Sequence, residues 1–250
     1  MSTSPIWSKV VKDTGLDFVF LDTEHVPLDR TELTFLCQVY SAHGMAPIVR
    51  IPSPDPYAAC MAKDAGAVGV LAPYIESKSQ VQQMVGATKY RPLKGDRLQK
   101  VLTGKEELLS ALKSYLQNFN QDSLCFINIE SSIAVKNLDE LLGVPGLDGI
   151  VIGPHDLSIN MGLPEQYEHP DFERTVKEII HKARAKGLAA GIHFPAHPEY
   201  QIKYVKEGAN IVLHSSDMRL FSQKLAEDMG NIKKAVGDSH HWSTGSELAI

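Results

Sequence analysis

Two short apolar runs, Cys125-Phe126-Ile127-Asn128-Ile129 and Gly149-Ile150-Val151-Ile152, constrain the fold of this chain more than any other feature. The first breaks off at Glu130 and the second at Gly153-Pro154-His155-Asp156. Runs of this length and continuity read as buried parallel strands whose carboxyl ends open onto a polar region. Between them, residues 131–142 place Ile133, Val135, Leu138, Leu141 and Leu142 at helical spacing. A strand–helix–strand unit crosses over right-handed and leaves its two strands parallel, with both carboxyl ends on one face. Glu130 and Asp156 are therefore expected to share a face.

The same alternation runs along the chain. Strands are expected at residues 18–22, 46–50, 68–72, 188–193 and 210–214. Helical spacing is found over residues 5–14, 30–41, 57–65, 77–87, 105–118, 170–186, 198–207 and 219–236. Gly15, Gly44, Gly66, Gly187 and Gly208 stand between a helix and the next strand, as left-handed helix stops do. Arg91-Pro92-Leu93-Lys94-Gly95-Asp96-Arg97 reads as a loop. Seven strands that never follow one another without a helix predict an all-parallel α/β sheet. They favour a (β/α)8 TIM barrel over an open doubly wound sheet. One strand is short of eight, so the first strand is either missing or unrecognised within a segment read as loop. Residues 1–236 are expected to form one barrel domain, and 237–250 a polar tail, disordered or draped on a neighbour.

Charge and cysteine usage narrow the partners. A net charge of −5 with no sizeable Lys/Arg cluster lacks the footprint of nucleic-acid binding. No apolar run approaches the ~18 residues of a membrane span, and the first residues show no leader pattern. Cys37, Cys60 and Cys125 have no metal-type spacing and predict unpaired thiols in a reducing, cytoplasmic setting.

In a barrel the active site lies at the carboxyl ends of the strands. That face would carry Asp22, Glu24, His25, Arg50, Glu130, His155, Asp156, His193 and His214. Two carboxylates without Cys or paired His suit an octahedral divalent cation, Mg²⁺ or Mn²⁺, that keeps positions for water and substrate. Their plainer role is to cap the following turns. His25 has the chemistry of a general base, with Asp22 or Glu24 placed to orient it, or of a hydrogen-bonded loop residue. Arg50 ends a buried strand, which is costly unless its guanidinium meets an anion or a barrel carboxylate. His155, His193 and His214 lack histidine metal-site spacing and read as lining or core residues.

The runs Gly15-Leu16-Asp17-Phe18-Val19-Phe20-Leu21-Asp22-Thr23-Glu24-His25 and Val49-Arg50, the Ile129-Glu130 strand end, and Gly153-Pro154-His155-Asp156-Leu157-Ser158 with Met161-Gly162 carry a resemblance. In this order they resemble the metal-dependent pyruvate aldolases typified by 4-hydroxy-2-oxoheptanedioate aldolase and 2-dehydro-3-deoxyglucarate aldolase. The resemblance spans about residues 4–236. It implies a barrel of the phosphoenolpyruvate/pyruvate type that cleaves a 4-hydroxy-2-oxo acid to pyruvate and an aldehyde, or runs the reverse condensation. Glu130 and Asp156 would bind the divalent ion, Mg²⁺ or Mn²⁺, with Co²⁺ a further option. Arg50 would hold the keto oxygen, His25 would be the base, and Asn128 with Pro154 and His155 would help place the 2-oxo acid. Asp64 would reach in from an adjacent subunit to pair with His25. The C-terminal helix would be exchanged within a homohexamer, a trimer of dimers. Asn128 stands where the family commonly has Gln, residues 94–97 depart from its Arg-Gly-rich loop, and His155 replaces a smaller residue. A catalytically inactive relative acting as a binding or assembly protein is the alternative. A zinc hydrolase built from His25, His155, His193 and His214 is a more distant one.

Overall fold

The structure, a computed structural model, describes residues 2–195 and 197–237. Past Gly237, the expected tail lies outside the described residues. In chain order the elements are α1 (Pro5–Val11), β1 (Phe18–Asp22), α2 (Arg30–Ala42), β2 (Ala46–Arg50), α3 (Pro56–Asp64), β3 (Gly69–Ala72), α4 (Lys78–Lys89), α5 (Gly95–Leu102) and α6 (Ser110–Phe119). They continue with β4 (Leu124–Ile129), α7 (Ser132–Lys136), α8 (Leu138–Leu141), β5 (Gly149–Ile152), α9 (Pro154–Asn160), α10 (Pro170–Ala185), β6 (Ala189–Phe194), α11 (Pro198–Lys206), β7 (Ile211–His214) and α12 (Asp217–Val236).

The seven strands pair in parallel in sequence order, forming a nearly closed barrel surrounded by helices. Register sets Asp22 beside Arg50, Asn128 beside Val151 and His193 beside Leu213. Strand alternation divides the side chains between two apolar layers. Inside the barrel, Ile48, Leu71, Phe126, Val151 and Leu213 pack with Phe18, Phe20 and Ile211. The opposite set, including Leu21, Val49, Val70, Ile127, Ile129, Ile150, Ile152 and Ile192, packs under the helices. The same alternation turns Asp22, Arg50, Asn128, Glu130 and His193 toward the interior at the strands' carboxyl ends.

The predicted strands are all present. No described segment fills a position between β7 and β1, so the alternative of an eighth strand hidden in a loop is not met among the described residues. Two helical expectations change. Residues 95–97 are helical rather than loop, because α5 lays Leu98 and Leu102 over Gly86 of α4, where a Cβ would stand 2.8 Å from Leu102 Cδ1. The helix expected over 105–118 begins only at Ser110. The crossover between β4 and β5 is split into α7 and α8 by Asn137, whose side chain donates to the Glu76 carbonyl at 2.8 Å.

The last helix is anomalous. Met218, Phe221, Leu225, Met229, Ile232 and Val236 form a stripe at three- or four-residue spacing, and each is 43–73 % exposed. No residue of α12 is buried. Beside it, Val212 on the outer side of edge strand β7 is also exposed.

Candidate active site

The ends of β1, β2, β4 and β5 build the site. At the end of β1, the Asp22 carboxylate accepts two hydrogen bonds from Arg50 at the end of β2, from Nε to Oδ1 at 2.9 Å and from Nη2 to Oδ2 at 2.6 Å. Arg50 Nε also lies 3.2 Å from Glu24 Oε2. The guanidinium sits over the Phe20 ring, 5.5 Å from its centroid. Burial alone would raise the Asp22 pKa. The hydrogen bonds and charge of Arg50, with the Glu24 N–H, outweigh burial and hold Asp22 below its ordinary value. A paired, apolar-backed guanidinium of this kind is locked in direction, which suits it to a developing oxyanion.

Glu130 follows β4 and is 3 % exposed. Burial pushes its carboxyl up to about 7, the nearby Asp156 and Glu24 charges add to the rise, and the Tyr74 N–H and Arg50 oppose it. Tyr74 donates that backbone N–H to Glu130 Oε2 at 3.0 Å. It does so from a left-handed backbone with φ 48°, and its hydroxyl accepts from Asn160 Nδ2 at 3.0 Å. Glu24 is likewise raised by burial, with Asp22 and Asp156 adding to it. Such a group of like-charged carboxylates is unfavourable alone and favourable around a cation, so the donors fit a hard divalent ion. Among the described residues, no set of three or more His, Cys, Asp or Glu side chains forms a closed metal cage. An ion here would be held by Glu130 and Asp156 with open positions.

Gly153 makes room for this carboxylate. A Cβ there would stand 2.5 Å from Glu130 Oε1 and 2.8 Å from its Cγ. Gly153→Ala is therefore expected to push Glu130 aside and to weaken Mn²⁺ binding at least about 10-fold, the scale of a displaced ligand support. Titration calorimetry checks this, and equal affinity in the variant would contradict it.

The remaining predicted residues take varied positions. Asn128 is buried, donates from Nδ2 to the Val151 carbonyl at 3.2 Å, and leaves Oδ1 without a partner. His25 is half exposed, with Nε2 3.7 Å from Glu24 Oε2, and its charge is felt by both Glu24 and Asp22. Pro154 is buried in the first turn of α9, ahead of Asp156. His155 is 57 % exposed and lies 3.4 Å from Glu165. Asp64 ends α3, on the amino-terminal side of the barrel, where Arg91 donates to it, far from the strand ends of its own chain. His214 is exposed on β7, so the four histidines of the zinc reading do not gather. The Tyr74 N–H and the clearance at Gly153 went unread in the sequence. A backbone donor has no side-chain signature, and Gly-Pro reads simply as a turn.

A profile described as HpcH/HpaI aldolase/citrate lyase matches residues 1–223. The chain is 32% identical to a 5-keto-4-deoxy-D-glucarate aldolase of Salmonella arizonae over 227 residues, covering 90% of this chain and 88% of that protein. It is 31% identical to a 2-keto-3-deoxy-L-rhamnonate aldolase of Escherichia coli over 233 residues, covering 93% and 86%. Among solved structures, an HpcH/HpaI aldolase from Desulfitobacterium hafniense superimposes with a TM-score of 0.80 at 26% identity, covering 93% of this chain and 90% of that one.

Proposed function

Because this chain belongs to the HpcH/HpaI aldolase/citrate lyase family, we propose that it is a divalent-metal-dependent pyruvate aldolase acting on a 4-hydroxy-2-oxo acid. The observation that carries the reading is the buried Glu130, set among Asp156 and Glu24, with Arg50 fixed on the neighbouring wall. Glu130 and Asp156 would hold the ion, and Mg²⁺, Mn²⁺ and Co²⁺ all suit oxygen donors of this type. When bound, the ion supplies Lewis-acid stabilisation of negative charge on the substrate's keto oxygen.

The chain's own residues supply the rest. Arg50, held in direction by Asp22, donates to the keto oxygen as charge develops there. Asn128 and the turn at Pro154 and His155 bound the space for the 2-oxo acid. His25 takes the proton of the C4 hydroxyl, the C3–C4 bond breaks, and C4 leaves as the aldehyde. The bond's electrons remain on the three-carbon fragment as the pyruvate enolate, which is protonated at C3. Condensation is the same sequence reversed. His25→Ala is expected to lower cleavage turnover by about 10²- to 10⁴-fold, the usual range for a general base, while Mn²⁺ still binds. Unchanged turnover in that variant would remove His25 from the mechanism.

The assembly belongs to the same proposal. Burying apolar side chains is worth roughly 1.5–3 kcal/mol each, and the α12 stripe buries none in a single chain. A second copy is the partner we assign to it, as in a homohexamer built as a trimer of dimers. In such an assembly Asp64 would serve the His25 of a neighbour, since its own lies beyond reach. The domain reading is one barrel over residues 1–236. No helix among the described residues is long and apolar enough to cross a membrane.

A further inference from the structure

The segments around the two proposed ion ligands are tied together by side chains that the mechanism leaves unused. Asn160 closes α9, one turn after Asp156. Its Nδ2 donates both to the Asp156 carbonyl at 3.2 Å and to the Tyr74 hydroxyl at 3.0 Å. Tyr74 lies in the turn after β3, and its backbone N–H donates to Glu130 Oε2 at 3.0 Å. Tyr74 therefore holds both ligands, Glu130 directly through its N–H and Asp156 through the helix that its hydroxyl anchors.

The other sides of this frame are closed as well. Ser132 Oγ, just past Glu130, donates to the Asn160 carbonyl at 3.1 Å. Ser131 Oγ donates to Glu76 Oε1 at 2.6 Å, and the Asn137 side chain donates to the Glu76 carbonyl at 2.8 Å. The turn after β3 is thus bound to the segment after β4, that segment to the end of α9, and α9 back to the turn after β3.

The backbone of Tyr74 is a second, independent observation. It is left-handed with φ 48°, a conformation disfavoured for a bulky residue and open to glycine. Tyr74 is 41 % exposed, so its side chain is placed by the bond to Asn160 rather than by core packing. Backbone strain over-determined by its surroundings in this way is a feature of ligand clamps.

We propose that the Tyr74–Asn160 hydrogen bond fixes the spacing of Glu130 and Asp156 and thereby makes the ion site selective for small octahedral cations over Ca²⁺. The inference rests on the reading of Glu130 and Asp156 as ion ligands. Mg²⁺ and Mn²⁺ take octahedral oxygen sites with short bonds, whereas Ca²⁺ accepts a larger and more variable set of oxygens at longer distances. Carboxylates held in place before the ion arrives need no rearrangement to meet the stricter geometry. Once released, they must be gathered on binding, which weakens the strict ion more than the tolerant one. Partners that orient metal ligands from behind act on affinity in this way.

Titration calorimetry of the chelated and dialysed protein with Mn²⁺ and with Ca²⁺ tests this in wild type, Tyr74→Phe, Asn160→Ala and the double variant. Wild type is expected to bind Mn²⁺ more tightly than Ca²⁺. Tyr74→Phe keeps the ring and the backbone N–H. It is expected to lose about 3- to 10-fold in Mn²⁺ affinity, the value of one hydrogen bond, with Ca²⁺ affinity changed by less than about 2-fold. The double variant should lose no more than Asn160→Ala alone, because both changes break the same bond. Tyr74→Phe by itself keeps the test available if Asn160→Ala folds poorly. Equal affinity for the two ions in wild type overturns the proposal. So does an unchanged Mn²⁺-to-Ca²⁺ ratio in Tyr74→Phe, whether both affinities fall or neither does, or additive losses in the double variant. If wild type binds neither ion, the metal-dependent reading itself is overturned, and the proposal with it.

Discussion

Glu130→Gln is expected to lower pyruvate-forming turnover at least about 10³-fold, because the ion's charge stabilisation is worth several kcal/mol. The same change should stabilise the metal-free protein near neutral pH. Glu130 is pushed up to about 7 in the fold by burial, with Asp156 and Glu24 adding to it, against an ordinary value of 4.5. Between these two values the folded state binds more protons than the unfolded chain, so stability falls as pH rises through the window. The scale is about 3 kcal/mol. Urea denaturation after chelation should therefore show a slope between pH 4.5 and 7 in wild type that is reduced in Glu130→Gln. Identical slopes would contradict the assigned burial. A variant that keeps full turnover would remove Glu130 from the ion site.

Arg50→Met is expected to cost both activity and stability. Turnover should fall by about 10²- to 10³-fold, the scale of a lost donor to a developing oxyanion. Stability should fall by about 3–5 kcal/mol, because the Asp22 carboxylate loses both hydrogen bonds from Arg50 while remaining largely buried. Asp22 titrates below its ordinary value of 3.8 in the fold. Its favourable contribution is thus present above that value and lost as pH falls through the lower folded one. Removing the guanidinium should raise the Asp22 pKa and reverse that dependence. The pair Asp22→Asn with Arg50→Met should regain much of the stability and none of the turnover. Parallel recovery of both would show that Arg50 acts only as a strand-end ion pair.

The parts of the site that the sequence exposes are those where a polar side chain interrupts an apolar strand. Asp22, Arg50 and Glu130 are legible for this reason, since strand alternation and parallel topology fix their face. Asp156 follows because the strand–helix–strand unit aligns the ends of β4 and β5. What stays hidden depends on distances across the fold. The Tyr74 N–H finds Glu130 only because the chain after β3 takes a left-handed turn, and Gly153 matters only because a carboxylate stands where its Cβ would be. His155 looked like a pocket residue in sequence and lies beside Glu165 with its side chain largely exposed. Polar spacing at Lys94-Gly95-Asp96-Arg97 concealed α5, whose anchor is Leu98 against Gly86. The stripe on α12 is visible as helical periodicity, but that none of its residues is buried among the described residues emerges only from the packing.

Metal-dependent cleavage is tested by pyruvate release from a panel of 4-hydroxy-2-oxo acids, followed through a reporter dehydrogenase, after chelation and again after adding Mg²⁺ or Mn²⁺. Little or no pyruvate is expected from the chelated protein, with release restored by the added ion for at least one member of the panel. Full release from the chelated protein would contradict the metal-dependent mechanism. Failure of every substrate in a folded protein that still binds Mn²⁺ and pyruvate would make it a binding relative rather than an aldolase.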